Sequence, residues 1–322
     1  MAQRVVVTDH VFGGLDIEHS LLDPLGVELV EAPATDERTL IDLARGASGL
    51  LVCYAKVTEP VVRVAAEGGC RVIARYGIGY DNVDVEAASR HGIVVTNVPD
   101  YCIGEVADHA MALLVALARG IVDAVVEVRR GGWSMPRAGI YRLQGRRLAV
   151  IGVGRIGRAV VRRAHSFGLD VVGFDPLLVD WDVAGLSRAH SLEEAVGEAH
   201  FVSLHAPQTP ENHHLINDRT ISFMRRAPIV VNTARGGLVD LDAVGRALDD
   251  GRLGGVGLDV TEVEPLPPDH PLRSHPRALI SPHMAFYSVE AQAQLQRRAA
   301  EEVARVLRGE PPRCPVNTPA YA

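Results

Sequence analysis

One segment limits this chain more than any other: Ile151-Gly152-Val153-Gly154-Arg155-Ile156-Gly157, a glycine turn between an apolar run and a stretch with helical spacing. Arg147 to Val150 reads as the end of a buried strand, and Ala159, Val160, Ala164 and Phe167 mark one helix face. A second apolar run, Val171 to Phe174, ends in Asp175, about 20 residues past the glycines. Strand, turn, helix, strand and terminal acid in this order form a dinucleotide-binding fingerprint, whereas glycines alone would only mark a tight βα turn. Gly152 permits the turn, Gly154 lets the backbone approach a pyrophosphate, and Gly157 lets helix and strand pack closely. The free N–H groups at Arg155 and Ile156, on the positive end of the helix, then hold the phosphates. Asp175 suits the two ribose hydroxyls and repels a 2′-phosphate, and no arginine stands in the next four positions, so the expected cofactor is NAD rather than NADP.

The length of 322 residues and 47% hydrophobic content allow a large core and point to two domains. No run of roughly 18 apolar residues is present, and the first strand candidate is Val5 to Val7, so neither a membrane span nor a secretory signal is expected. Cys53, Cys70, Cys102 and Cys314 are scattered without a CxxC pair, which argues against a disulfide framework or a zinc site and fits a reducing cytoplasm. The net charge of -7 disfavours nucleic acid as a partner.

Residues 1–99 alternate strand and helix patterns. Strands are expected at Val5–Val7, Val27–Val30, Leu50–Cys53, Val72–Ala74 and Ile93–Val95, with helical stretches between them. Such alternation implies a parallel sheet covered on both faces. This first unit lacks the glycine fingerprint and reads as a substrate domain. Ile103 to Val128 reads as one long helix, apolar on all sides, buried between domains or against a second subunit. Residues 131–145, with Trp133 and Pro136, read as an irregular arm. Later strands are expected at Phe201–Leu204, Ile229–Val231, Val256–Leu258 and Ala278–Ile280, and an amphipathic helix from Ser288 to Leu307 is expected to return to the first domain. The expected architecture is α/β: two doubly wound parallel-sheet domains, one spanning 1–99 with 284–322 and the other 100–283, with a ligand cleft between them.

Three charged residues fall at or just after strand ends of the second unit: Arg235, Glu264 and His283. Ligands of open α/β sheets bind outside the carboxyl ends of the strands, so the three could share one crevice. Arginine grips a carboxylate bidentately, histidine exchanges a proton near neutral pH, and a carboxylate behind it fixes its tautomer. Taken singly, each also has an ordinary explanation: a surface ion pair, a Glu-Pro turn, a capping histidine. His213 and His214 are adjacent, and neighbouring side chains of an extended segment point apart, so no metal site is expected.

Over essentially its whole length the chain resembles the D-isomer-specific 2-hydroxyacid dehydrogenase family. The matching segments are residues 75–84 (RYGIGYDNVD), Asn97-Val98-Pro99, the glycine turn, His205 to Pro210, Asn232 to Gly237, Leu258 to Val260 with Glu264-Pro265, and Ser281-Pro282-His283. Residues 212–218 and Phe286 to Ser288 are most similar to the C-terminal-binding-protein branch. The resemblance implies a flavodoxin-like substrate domain and a Rossmann NAD domain. It makes Arg235 the substrate-carboxylate anchor, His283 the acid/base and Glu264 its partner, with Glu262 a nearby competitor. His205, Pro207, Thr233, Ala234 and Asp259 correspond to cofactor-lining positions, and Arg75, Ile78, Gly79 and Phe286 to substrate-side positions. Phe286 stands where that branch carries tryptophan. Lys56 follows a first-domain strand and could line the cleft, but because lysine is rarely buried it is expected to face solvent. The implied protein is a cytoplasmic homodimer, joined through the NAD domain, acting on a small 2-oxo or 2-hydroxy acid. The alternative is an NADH-responsive dimeric binding module with weak or vestigial catalysis.

Overall fold

The computed structural model describes residues 3–135, 140 and 142–319. It divides into two compact units, 1–101 with 288–322, and 102–287. Of the expected arm at 131–145, Pro136 and its neighbours to 139, and Tyr141, lie outside the described residues.

The first unit is built on five short apolar strands, β1 (Gln3–Val7), β2 (Val27–Glu31), β3 (Gly49–Val52), β4 (Val72–Arg75) and β5 (Val94–Thr96). They alternate with α1 (Asp16–Leu22), α2 (Glu37–Ala44), α3 (Glu59–Glu67) and α4 (Val85–Arg90). The strand order is β2-β1-β3-β4-β5, every pair parallel, which is the flavodoxin-like winding. Because helices cover both faces, β3 is buried at every position. Helix starts are set locally: the Asp36 and Asp84 carboxylates accept from the N–H groups of Thr39 and Ala87, satisfying donors that have no partner within the helix.

The second unit opens with α5 (Ile103–Ala118) and α6 (Ile121–Arg129). The single long helix expected here is divided by Gly120, which takes the left-handed conformation at φ 58°. The halves differ. α5 buries Val106, Ala107, Ala110, Met111, Leu113 and Leu114, whereas α6 buries no residue. Seven parallel strands follow: β6 (Arg147–Ile151), β7 (Asp170–Phe174), β8 (Leu186–Arg188), β9 (Phe201–Leu204), β10 (Ile229–Asn232), β11 (Gly255–Leu258) and β12 (Ala278–Ile280). Between them lie α7 (Arg155–Ser166), α8 (Leu192–Gly197), α9 (Asp218–Ser222) and α10 (Leu241–Asp249). The order β12-β11-β10-β9-β6-β7-β8 is the Rossmann winding, with its switch point between β6 and β9. α5 packs on α7, β10 and β11. The edge strand β8 gives no sequence signal, since two of its three residues are polar and exposed. The chain then re-enters the first unit with α11 (Val289–Leu307), capped by the Ser288 hydroxyl and packed on α1, β3 and β4.

Candidate active site

All seven strands of the second sheet run the same way, so their carboxyl ends form one edge, and the expected site residues of this unit follow those ends. At the switch point, Gly152 has φ 90°, and a Cβ there would lie 2.5 Å from the backbone nitrogen of Ala206. This close approach admits only glycine. A Cβ on Gly157 would sit 2.1 Å from the Gly152 carbonyl, which is the tight helix–strand packing expected of the third glycine. At Gly154 a Cβ would meet nothing within 4 Å, so the face above the turn is open. α7 is the one described α-helix without an acid in its first turn, where the exposed Arg155 stands instead. Its N-terminus is therefore electrostatically open to an anion. Asp175 follows β7, where Oδ2 accepts the Val153 N–H at 2.9 Å and Oδ1 that of Leu177 at 3.0 Å. Each carboxylate oxygen retains a lone pair for a further donor.

His205 and Thr233 follow β9 and β10. The Ser203 hydroxyl pairs with His205 Nε2 at 2.8 Å, but the buried His205 Nδ1 and Thr233 Oγ1 have no protein partner. Burial pushes the His205 imidazole down to about 4, so it is neutral near pH 7. An open glycine turn, an anion-ready helix end, a ribose-suited acid and two unpartnered buried polar atoms fit a dinucleotide.

After β10 the chain turns at Thr233-Ala234-Arg235. The fully buried Asn232 fastens this turn, its Oδ1 accepting from the Ala234 N–H at 3.0 Å and its Nδ2 donating to the Arg235 carbonyl at 2.8 Å. The half-buried Arg235 donates from Nη1 to the Ala234 carbonyl at 2.8 Å. Gly236 lies flat on the loop after β11: a Cβ there would be 2.0 Å from the Thr261 carbonyl oxygen. That loop carries Glu264, whose Oε1 accepts the Thr261 N–H at 3.0 Å and whose Oε2 meets His283 Nδ1 at 2.6 Å. Burial raises the Glu264 carboxyl, but the His283 hydrogen bond and charge, the Thr261 N–H and the Arg235 guanidinium together hold it below the usual range. The three residues expected to converge are thus electrostatically coupled in one place.

His283 adopts φ 50°, a left-handed conformation that costs a non-glycine residue about 1–2 kcal/mol. The buried Asp259 holds it there. Its carbonyl accepts the His283 N–H at 2.8 Å, and its carboxylate accepts from the Ser281 hydroxyl (2.6 Å) and the N–H groups of Met284 (2.9 Å) and Ala285 (2.8 Å). The Asp259 carboxylate, one of the expected cofactor-lining positions, thus also fastens the histidine loop. His109 of α5 completes the clamp, Nε2 meeting Ser281 Oγ at 2.8 Å. Sequence reading assigned His109 no role; its only signal was an imidazole within an apolar helix. The Phe286 ring lies 6.4 Å from that of His283, edge to face.

Arg75, Ile78 and Gly79 belong to the first unit. Arg75 ends β4, donates to the Tyr76 carbonyl, and lies 6.0 Å from the Tyr54 ring centroid. The Ile78 carbonyl accepts from Asn97 Nδ2 at 2.6 Å, and Lys56 is exposed. The divergence expected of His213 and His214 does not occur. His214 has φ 52°, which swings its ring onto that of His213 with centroids 3.9 Å apart, and His214 Nε2 pairs with Glu262 Oε1.

The family model described as "D-isomer specific 2-hydroxyacid dehydrogenase, NAD binding domain" matches residues 111–285. The chain is 38% identical over 320 residues to D-3-phosphoglycerate dehydrogenase of Methanocaldococcus jannaschii, covering 98% of this chain but only 60% of that protein's length. It is 38% identical to the glyoxylate reductase of Korarchaeum cryptofilum over 88% of this chain and 86% of that one. The solved D-lactate dehydrogenase from Aquifex aeolicus, complexed with NAD and lactic acid, superposes with a TM-score of 0.86 at 27% identity, covering 95% and 96% of the two chains. All three are named as dehydrogenases or reductases, and none carries the name of the C-terminal-binding branch.

Proposed function

Because this chain belongs to the D-isomer-specific 2-hydroxyacid dehydrogenase family, we propose that it interconverts small 2-oxo and 2-hydroxy acids by hydride transfer with NAD(H). The observation that carries this reading is the His283–Glu264 pair at 2.6 Å, with the Arg235 charge acting on the same carboxylate. Bound at the open glycine turn, the nicotinamide cofactor supplies or accepts the hydride. Gly152 and Gly157 would shape the turn, Gly154 with the N–H groups of Arg155 and Ile156 would hold its phosphates and Asp175 its ribose hydroxyls, while His205, Pro207, Thr233, Ala234 and Asp259 would line its path. Arg235 binds the substrate carboxylate through its planar fork. His283 keeps Nδ1–H on Glu264 and moves the proton at Nε2, giving it to the forming alkoxide in reduction and removing it from the hydroxyl in oxidation. Glu264 fixes that tautomer and stabilises the charged ring. Arg75, Ile78, Gly79 and Phe286 are assigned to the substrate side. The acting molecule is a homodimer joined through α6 of the NAD domain. A reducing, cytoplasmic setting agrees with cysteines that form no disulfide and with the lack, among the described residues, of a helix long and apolar enough to cross a membrane.

The test is steady-state oxidation of NADH and NADPH with pyruvate, glyoxylate and hydroxypyruvate, alongside NAD reduction with 3-phosphoglycerate. Turnover of at least one 2-oxo acid with NADH preferred is expected. Saturable NADH binding with no turnover of any acid would leave the chain a nucleotide-binding module, and NADPH preference would overturn the role of Asp175.

A further inference from the structure

Beside the Arg235 turn lie two imidazoles and a carboxylate that take no part in the reaction derived above. We propose that His213, His214 and Glu262 bind a divalent cation of the zinc class, an inference independent of the dehydrogenase reading. One ligand atom from each lies within 4.8 Å of the others, and among the described residues no other three histidine, cysteine or acidic groups come together in this way. A tetrahedral Zn2+ with bonds of about 2.0–2.1 Å spaces its ligand atoms by about 3.3 Å, so side-chain rotations that unstack the two imidazoles bring three donors into place, with water fourth. Two imidazole nitrogens and one carboxylate oxygen suit zinc, nickel or copper rather than magnesium or calcium, which take oxygen ligands.

The backbone holds these donors in position. His214 donates its N–H to the Gly237 carbonyl at 2.8 Å, and Ile216 and Asp240 exchange bonds with the same turn, Ile216 N–H to Leu238 O and Asp240 N–H to Ile216 O, each at 2.9 Å. Glu262 approaches from the other loop, whose backbone presses on Gly236 so closely that a Cβ there would lie 2.6 Å from the Glu262 nitrogen. Both donor-bearing loops are therefore clamped to one rigid turn. His214 Nε2 already meets Glu262 Oε1 in an ion-pair geometry. A cation takes the place of the proton between them, and the exposed His213 ring, turned out of its stack on His214, supplies the third donor.

Calorimetric titration of the intact 322-residue chain with Zn2+ tests this. One saturable site is expected. His213→Ala and Glu262→Gln should each weaken it by at least about tenfold, since even the hydrogen-bond partners of metal ligands are worth that much. Zn2+ should raise the Tm of the wild-type chain more than that of either variant. Co2+ in the same site should give the visible absorption of a four-coordinate centre, absent in His213→Ala. No saturable binding, equal affinity in His213→Ala and wild type, or displacement of Zn2+ by equimolar Mg2+ would each overturn the site.

Discussion

At the scale of single residues, the site is an arrangement of charges that stabilise one another. His283 is held in a left-handed backbone by Asp259 and is paired through Nδ1 with the Glu264 carboxylate. Removing a general acid costs on the order of 10²- to 10⁴-fold in turnover. His283→Ala should lose turnover by that factor and keep NADH affinity within about twofold in fluorescence titration; unchanged kcat would remove the residue from the mechanism. Arg235→Lys should lower kcat/KM because a point charge cannot reproduce the planar fork. Unaltered kcat/KM across the 2-oxo acids would show that the carboxylate binds elsewhere. His205 makes a separate prediction about stability. Its pKa falls on folding, from the ordinary 6.5 to about 4, so the folded state binds fewer protons across that window. Its contribution is complete above pH 6.5 and is lost as the pH falls toward 4. Thermal unfolding of His205→Gln should therefore decline less between pH 6.5 and 4 than that of the wild type, and parallel declines would contradict the burial argument.

At the scale of elements, the strands were the most legible part of the sequence because parallel strands buried on both faces are nearly unbroken apolar runs. Phe201–Leu204 and Ala278–Ile280 are read to the residue. β8 is invisible because an edge strand needs no apolar face. The break at Gly120 was missed because both flanks are apolar, so periodicity continues through a left-handed glycine. Within the site, the charged residues at strand ends could be found from pattern, but the tertiary hydrogen bonds joining His109, Ser281 and Asp259 could not. Two neighbouring glycines allow a direct test of the Arg235 turn. An added methyl at Gly236 meets the backbone of Thr261 at 2.0 Å, whereas at Gly237 its nearest neighbour is the amide end of Gln208, at 2.4 Å. Neither position has the positive φ that would strain alanine. Gly236→Ala should cost about 1–3 kcal/mol, as overpacking does, and separate Arg235 from Glu264. Gly237→Ala should be much milder, because a side-chain tip rotates away. Urea unfolding and kcat/KM measured together check this, and equal effects at the two glycines would show that the close approach does not matter.

At the scale of the whole molecule, the unresolved burden is α6. Ile121, Val122, Val125 and Val128 form one helical stripe and remain 48%, 43%, 42% and 51% exposed. A helix with such a stripe and no buried residue gains little from its own unit. Covering these four side chains on each of two copies is worth on the order of 6 kcal/mol at about 1.5 kcal/mol for a fully buried valine. That falls short of a tight complex once the cost of association is subtracted, so the proposed pairing needs neighbouring surface as well. Trp133 and Met135, 92% and 89% exposed, are the nearest exposed large apolar side chains in sequence among the described residues. A charge placed in the stripe must be desolvated on association, which opposes pairing by several kcal/mol while leaving the separate chain untouched. Val125→Asp should therefore sediment as a monomer at concentrations where the wild type is a dimer, with unchanged circular dichroism and NADH binding. A monomeric wild type, or a variant that still pairs, would place the interface on another face.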